Sequence, residues 1–383
     1  MQEAGEAGDR WRTVEGTVRL FLCGDVMAGR GIDQILPQPC DPGLHEPFVR
    51  DAREYVRLAE EASGPIPRPV DPEYIWGDAP QVWEAMRPDV RLINLETSVT
   101  RHSEPWPLKG VHYRMSPENS VCLRAAKIDA VSLANNHVLD WGLAGMSETL
   151  STLNEAGIAT AGAGKDAATA QSPAIVSLGN LGRILIFSIG LGTSGVPSEW
   201  AAGPHSAGIF FAADTSDRLA QELLQVISAA RLPGDIVVLS LHWGGNWDYE
   251  IVPSQRDFAH QVIDCAGVDL VHGHSSHHVK GIEVYQKHPI LYGCGDFLTD
   301  YEGIRGREYF RGDLGLMYFA ELDPRGGELQ SLRMVPTCMQ CFQVRHALQA
   351  GTDWLAETLT REGRALGTAV TKGPEGTMEL LWS

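Results

Sequence analysis

The chain has 383 residues, a formal net charge of −18 and 43% hydrophobic residues. That acidity argues against nucleic acid or an anionic membrane as partner, and no apolar stretch reaches the ~18 residues of a membrane span. Seven cysteines, an odd number scattered over a long chain, do not make a disulfide framework, and the lone Cys338-Met339-Gln340-Cys341 reads as reduced thiols in a packed segment.

Residues 1–13 are polar and acidic, which predicts a disordered tail rather than a signal peptide, and hence a cytoplasmic protein. The apolar run 18–23 predicts a strand that stops at Gly24-Asp25. Residues 40–75 are rich in proline and polar residues, with one helical segment at 48–61, and read as an insertion over a sheet edge. A second strand, 90–93, ends in Asn94-Leu95-Glu96, and a third, 130–133, leads into Asn135-Asn136-His137 and a helix over 142–156. Residues 174–178 and 184–189 predict a hairpin. An amphipathic helix at 217–230 precedes a strand at 235–241 ending in His242-Trp243-Gly244. A helix at 255–266 leads to strand 268–271 and the densest histidine cluster, His272, His274, His277 and His278. A hairpin at 282–292, a strand pair at 317–322 and 332–335, and a helix at 353–362 complete the prediction. The alternation of strands and helices predicts one α/β domain over 14–383.

Strand C-terminal ends are where open α/β sheets place their chemistry. Here five of them carry Asp25, Glu96, Asn136-His137, His242 and His274. Carboxylate, amide oxygen and neutral imidazole are together the ligands of a divalent metal site. A single such residue reads as a cap or a satisfied core group; five in one architecture read as a shared site.

In this order, Gly24-Asp25-Val26-Met27, Asn94-Leu95-Glu96, Asn135-Asn136-His137, His242-Trp243-Gly244 and Gly273-His274-Ser275-Ser276-His277-His278 resemble the CapA (poly-γ-glutamate capsule) family. That family is similar in fold to the calcineurin-like metallophosphoesterases. The resemblance implies a layered β-sheet sandwich flanked by helices. It implies Asp25 and Glu96 as carboxylate ligands with Glu96 bridging, Asn136, His242 and His274 as further ligands, and His137 as the acid–base group. Where metallophosphoesterases have Asp-x-His and Gly-His-x-His, this sequence has Met27 and Ser276, so one tight ion (Ca, Mn, Mg or Zn) is expected unless His277 or His278 substitutes.

Soluble CapA-like proteins include a lasso-peptide epimerase. That resemblance implies a peptide substrate with a free C-terminal carboxylate, epimerised at Cα by His137 and Asp25, with His277 and His278 in reserve. The alternatives are a metal-dependent hydrolase of a phosphoester, γ-glutamyl or peptide bond, and a non-catalytic binder of polyglutamate or peptide. Arg30 and Lys109 are either carboxylate-binding or solvated; Trp141, Trp243 and Trp247 either line an apolar pocket or pack in the core; Asp296 either orients a ligand histidine or caps a turn.

Overall fold

The computed structural model describes residues 16–306 and 308–383, so the predicted tail lies outside the described residues. Its centre is β1 (Val18–Val26), buried along its whole length. Leu20 and Leu22 point to one face while Phe21 and Cys23 point to the other, and both faces are packed. A strand covered on both sides has no polar alternation, which is why residues 18–23 read as a continuous apolar run.

On one side β1 pairs in parallel with β2 (Val90–Leu95), which pairs with β3 (Ala130–Ser132) and then β4 (Ala159–Ala161). The chain next builds a second sheet. Strand β5 (Ala174–Ser177) makes the predicted hairpin with β6 (Arg183–Leu191), followed by parallel β7 (Ile236–His242) and β8 (Leu270–His274). The hairpin of β9 (Ile282–Tyr285) and β10 (His288–Leu291) closes that edge. The chain then returns to the first sheet. There β11 (Asp296–Leu298) pairs in parallel with the end of β1, and β12 (Leu314–Leu322) pairs antiparallel with the rest of it. Outside β12 lie β13 (Leu329–Gln340) and, at the edge, β14 (Thr368–Lys372) and β15 (Met378–Trp382).

The two sheets face each other. Leu20, Leu22 and Leu92 of the first pack with Ile184, Ile186, Val238 and Leu270 of the second in one core. Helices Arg53–Ser63, Ala79–Met86 and Gly142–Glu155 cover the outer face of the first sheet, and Asp217–Ala230 and Pro253–Ala266 cover that of the second. This is the expected α/β sandwich flanked by helices. The helix of the 40–75 segment begins at Arg53 rather than at 48, because Gly43 and Asp51 form a bridge and the Asp51 carboxylate accepts the Arg53 N–H at 2.9 Å. No helix among the described residues is long and apolar enough to cross a membrane.

One close approach fixes the site. A Cβ on Gly24 would sit 1.6 Å from the Gly295 carbonyl oxygen, and that carbonyl accepts the Asp25 N–H at 2.9 Å. Only glycine at 24 lets the segment before β11 press against the end of β1. The register that results sets Asp25 beside Asp296 on one side and Asn94 on the other.

Candidate metal centre

Parallel pairing brings the ends of β7 and β8 level, so His242 and His274 are register partners. Their Nδ1 atoms are 2.8 Å apart. Behind them the Ser240 hydroxyl lies 2.8 Å from His274 Nε2 and 3.1 Å from His272 Nδ1. His272 Nε2 reaches the Cys23 carbonyl at 2.7 Å, which ties the second sheet to β1. The Ser194 hydroxyl donates to the His242 carbonyl at 2.7 Å.

From the first sheet, Asn94 donates to Asp25 Oδ1 at 2.7 Å. Asn135 donates to Asn94 Oδ1 at 3.1 Å and to the Leu95 carbonyl at 2.9 Å, while its own oxygen accepts the N–H groups of His137 and Val138. The two asparagines are the frame on which Asp25, Asn136 and His137 are mounted. Asp25 Oδ1 is 3.9 Å from His274 Nδ1, and Asp25, His242 and His274 each bring a ligand atom within 4.8 Å of the others. Glu96 Oε1 is 4.0 Å from His242 Nε2 and 3.7 Å from His137 Nε2.

The electrostatics calls for a cation. Burial, and then the nearby Asp296 carboxylate, raise Asp25 to about 6. Burial and the Asp25 charge raise Glu96. Burial lowers His242 and His274, which keeps both imidazoles neutral with lone pairs available. Glu96 Oε2, Asn136 Oδ1 and His242 Nε2 are buried without a hydrogen-bond partner. Such atoms are costly to leave unsatisfied. A divalent ion is the one ligand that suits acid, amide oxygen and imidazole together, so the residues fit it.

His137 stands at the side of this group. Its Nδ1 is 2.6 Å from Asp140 Oδ2, and Lys109 Nζ lies 2.5 Å from Asp140 Oδ1 and 3.0 Å from His137 Nδ1. The Tyr113 N–H also donates to Asp140, at 2.6 Å. Asp140 thereby fixes the ring and leaves Nε2 turned toward Glu96. Burial brings His137 down to about 4 even though Asp140 acts in the opposite sense. Asp140 was not among the expected site residues; the signal was its place three residues beyond His137 in the same strand-end cluster.

A second group lies on the other side of Asp25. Asp25, His277 and Asp296 bring ligand atoms within 4.8 Å of one another. Asp25 is therefore common to both groups. Of the two readings of Asp296, the structure shows it against a histidine of the cluster: its Oδ1 is 2.8 Å from His277 Nδ1. His278 is turned away, its Nδ1 3.0 Å from the Val279 carbonyl and its ring packed against Tyr249 and Phe310.

The residues expected to bind substrate separate clearly. Arg30 is buried and committed to Asp300, at 2.5 and 2.8 Å, and to Glu46 at 2.8 Å, so it is no free carboxylate anchor. Lys109 serves Asp140. Trp243 stacks on Tyr292 and donates to its carbonyl, a core role. Trp141 packs under the Arg114 guanidinium and donates to the Tyr113 carbonyl. Trp247 alone of the three lines a cavity of about 770 Å³, with His277, Tyr301, Ile304, Arg305 and Met339 also in its wall.

The family model for the bacterial capsule synthesis protein PGA_cap matches residues 19–301. This chain belongs to the PGA_cap family. The matched span runs from β1 to the loop after β11, and so includes Asp25, Glu96, Asn136, His137, Asp140, His242, His274, His277 and Asp296. A protein of Mycobacterium tuberculosis named a probable polyglutamine synthesis accessory protein is 45% identical over 365 residues, covering 95% of this chain and 96% of its own. The PGA biosynthesis protein CapA of Bacillus subtilis is 30% identical over 200 residues, 52% of this chain and 50% of its own. The capsule biosynthesis protein CapA of Bacillus anthracis is 27% identical over 196 residues, 50% and 45%.

Proposed function

We propose that this PGA_cap protein is a divalent-metal-dependent enzyme that hydrolyses an amide bond in a polyglutamyl or polyglutaminyl chain. The observation that carries the reading is the pairing of the buried carboxylate–imidazole group Asp25, His242 and His274 with the His137–Asp140 dyad at its edge. The substrate class is taken from the names of the relatives. The cavity beside His277 offers Trp247, Tyr301, Ile304 and Met339 to aliphatic stems, and its wall carries Arg305 together with Glu302, Glu308 and Asp313.

A divalent ion bound by Glu96, Asn136, His242, His274 and Asp25 would polarise the scissile carbonyl as a Lewis acid. His137, neutral and aimed by Asp140, accepts a proton from water as its oxygen adds to the carbonyl carbon. The same imidazole then gives that proton to the leaving nitrogen as the C–N bond breaks, yielding a carboxylate and an amine. Lys109 steadies Asp140 through the cycle.

A second reading is Cα epimerisation. One observation favours it: two buried imidazole–carboxylate dyads, His137–Asp140 and His277–Asp296, offer an acid and a base. The relatives named above belong to polyglutamine and capsule synthesis, so the lasso-peptide substrate is set aside in favour of the polymer.

The two chemistries separate in one experiment. Oligomers of poly-γ-glutamate and of α-linked polyglutamine are incubated with the protein and Mn²⁺ or Zn²⁺ in D₂O, then read by mass spectrometry. Shortened chains are expected. A gain of about one mass unit per reacted residue at constant length would replace hydrolysis by epimerisation. Unchanged oligomers with both metals would contradict both readings.

A further inference from the structure

Two tyrosines link the imidazoles of the two dyads. Tyr113 is fully buried, and its ring meets His137 edge-on with centroids 4.7 Å apart. Its N–H donates to Asp140 and its carbonyl accepts from Trp141, so its backbone is pinned on both sides. Tyr301, in the loop after β11, meets His277 edge-on at 5.5 Å and lines the cavity. Its N–H donates to Thr299 Oγ1 at 2.8 Å, and its carbonyl accepts the Ile304 N–H at 3.0 Å. The two phenolic oxygens are 3.0 Å apart. A continuous chain of contacts therefore runs from His137 through both phenols to His277.

Which phenol donates follows from burial. Among the described residues, each hydroxyl has the other as its one hydrogen-bond partner. Were Tyr301 the donor, the Tyr113 proton would be stranded in the core, at a cost of about 1–3 kcal/mol. With Tyr113 donating, the proton left over belongs to Tyr301, the phenol on the cavity. Burial raises both phenols, so both keep their protons. The Arg30 guanidinium, 4.4 Å from the Tyr113 ring, acts in the opposite sense and makes Tyr113 the stronger donor. A hydroxyl that accepts such a bond donates a better one in turn.

We propose that Tyr301 is a further catalytic residue, whose hydroxyl donates to the scissile carbonyl oxygen as negative charge gathers there on addition of water. Tyr113 is the positioning residue that turns this proton toward the cavity. The inference rests on the hydrolytic reading. The plain alternative is that the two rings only fill space, which leaves the Tyr301 proton idle beside two imidazole–carboxylate dyads. The reaction creates the acceptor that this proton lacks. A donor held in place beforehand acts on charge present in the transition state and little on the neutral amide, so its removal falls on kcat rather than KM.

The test compares wild type, Tyr301→Phe and Tyr113→Phe, each loaded with Mn²⁺ and folded by circular dichroism. Calorimetry reads binding of phosphinate analogues of the two oligomers, in which a tetrahedral, anionic phosphinate replaces one amide. Tyr301→Phe is expected to bind the phosphinate about 10–100-fold more weakly, the value of a hydrogen bond to a charged group. Its kcat is expected to fall by about 10²–10³, with KM within about threefold of wild type and metal content unchanged. Tyr113→Phe is expected to lose less of both, again with KM unchanged. Phosphinate affinity and kcat within about threefold of wild type in Tyr301→Phe would overturn the inference. So would a rise in KM at unchanged kcat, the mark of a residue that only shapes the wall. Wild type that neither shortens the oligomers nor binds the phosphinates would remove the hydrolytic reading, and this inference with it.

Discussion

Replacing Arg30 by methionine is expected to lower the free energy of unfolding by about 3–5 kcal/mol, read by urea denaturation. The guanidinium is 4% exposed and uses its donors on Asp300, Glu46 and the Tyr55 hydroxyl, with the rings of Tyr55 and Tyr113 at 3.7 and 4.4 Å from its central carbon. Methionine fills part of the volume and supplies no charge, which strands two buried carboxylates. Asp300 keeps only the Gly31 N–H, at 2.8 Å, and Glu46 keeps the Tyr55 hydroxyl. The loss reaches the site as well, because Asp300 precedes Tyr301 of the cavity wall. A change below about 1 kcal/mol, the size of an exposed pair, would show that these charges are not buried together in solution.

The second large effect is on rate. His137→Asn is expected to lower kcat by about 10²–10⁴, the usual contribution of a positioned acid–base group, with metal content unchanged. The ring has one free nitrogen, Nε2, because Nδ1 is engaged by Asp140 and approached by Lys109. Asparagine preserves a polar side chain at that position and removes the proton carrier. Asp140→Asn should give an intermediate loss, since it leaves the base and removes its orientation. Activity within tenfold of wild type in His137→Asn would assign the proton transfer elsewhere, with His277 next to be tested.

Local pattern made much of this legible in the sequence. The buried strands β1, β2, β6, β7 and β8 show as apolar runs because both faces of each sheet are packed, and the polar residues that follow them mark the strand ends. His242 and His274 therefore read as strand-end residues of one site, and the parallel β7–β8 register sets them side by side. What pattern did not reveal depends on partners far along the chain. Asp296 reaches Asp25 through pairing of strands 271 residues apart, and nothing near 296 advertises it. Arg30 and Lys109 looked like free cations because Asp300 and Asp140 meet them only in the folded state. The three tryptophans are alike in sequence context, yet Trp247 alone of them lines the cavity beside His277. Chain topology, rather than residue type, decides each of those cases.

The central claim is that Glu96, Asn136, His242 and His274 hold a divalent ion that catalysis requires. Its most direct test is the bound-metal content of Asn136→Ala and His274→Ala, measured by elemental analysis beside wild type after exhaustive dialysis. The account predicts that each variant, folded by circular dichroism, loses one ion per chain relative to wild type. Wild-type metal content in both would contradict it.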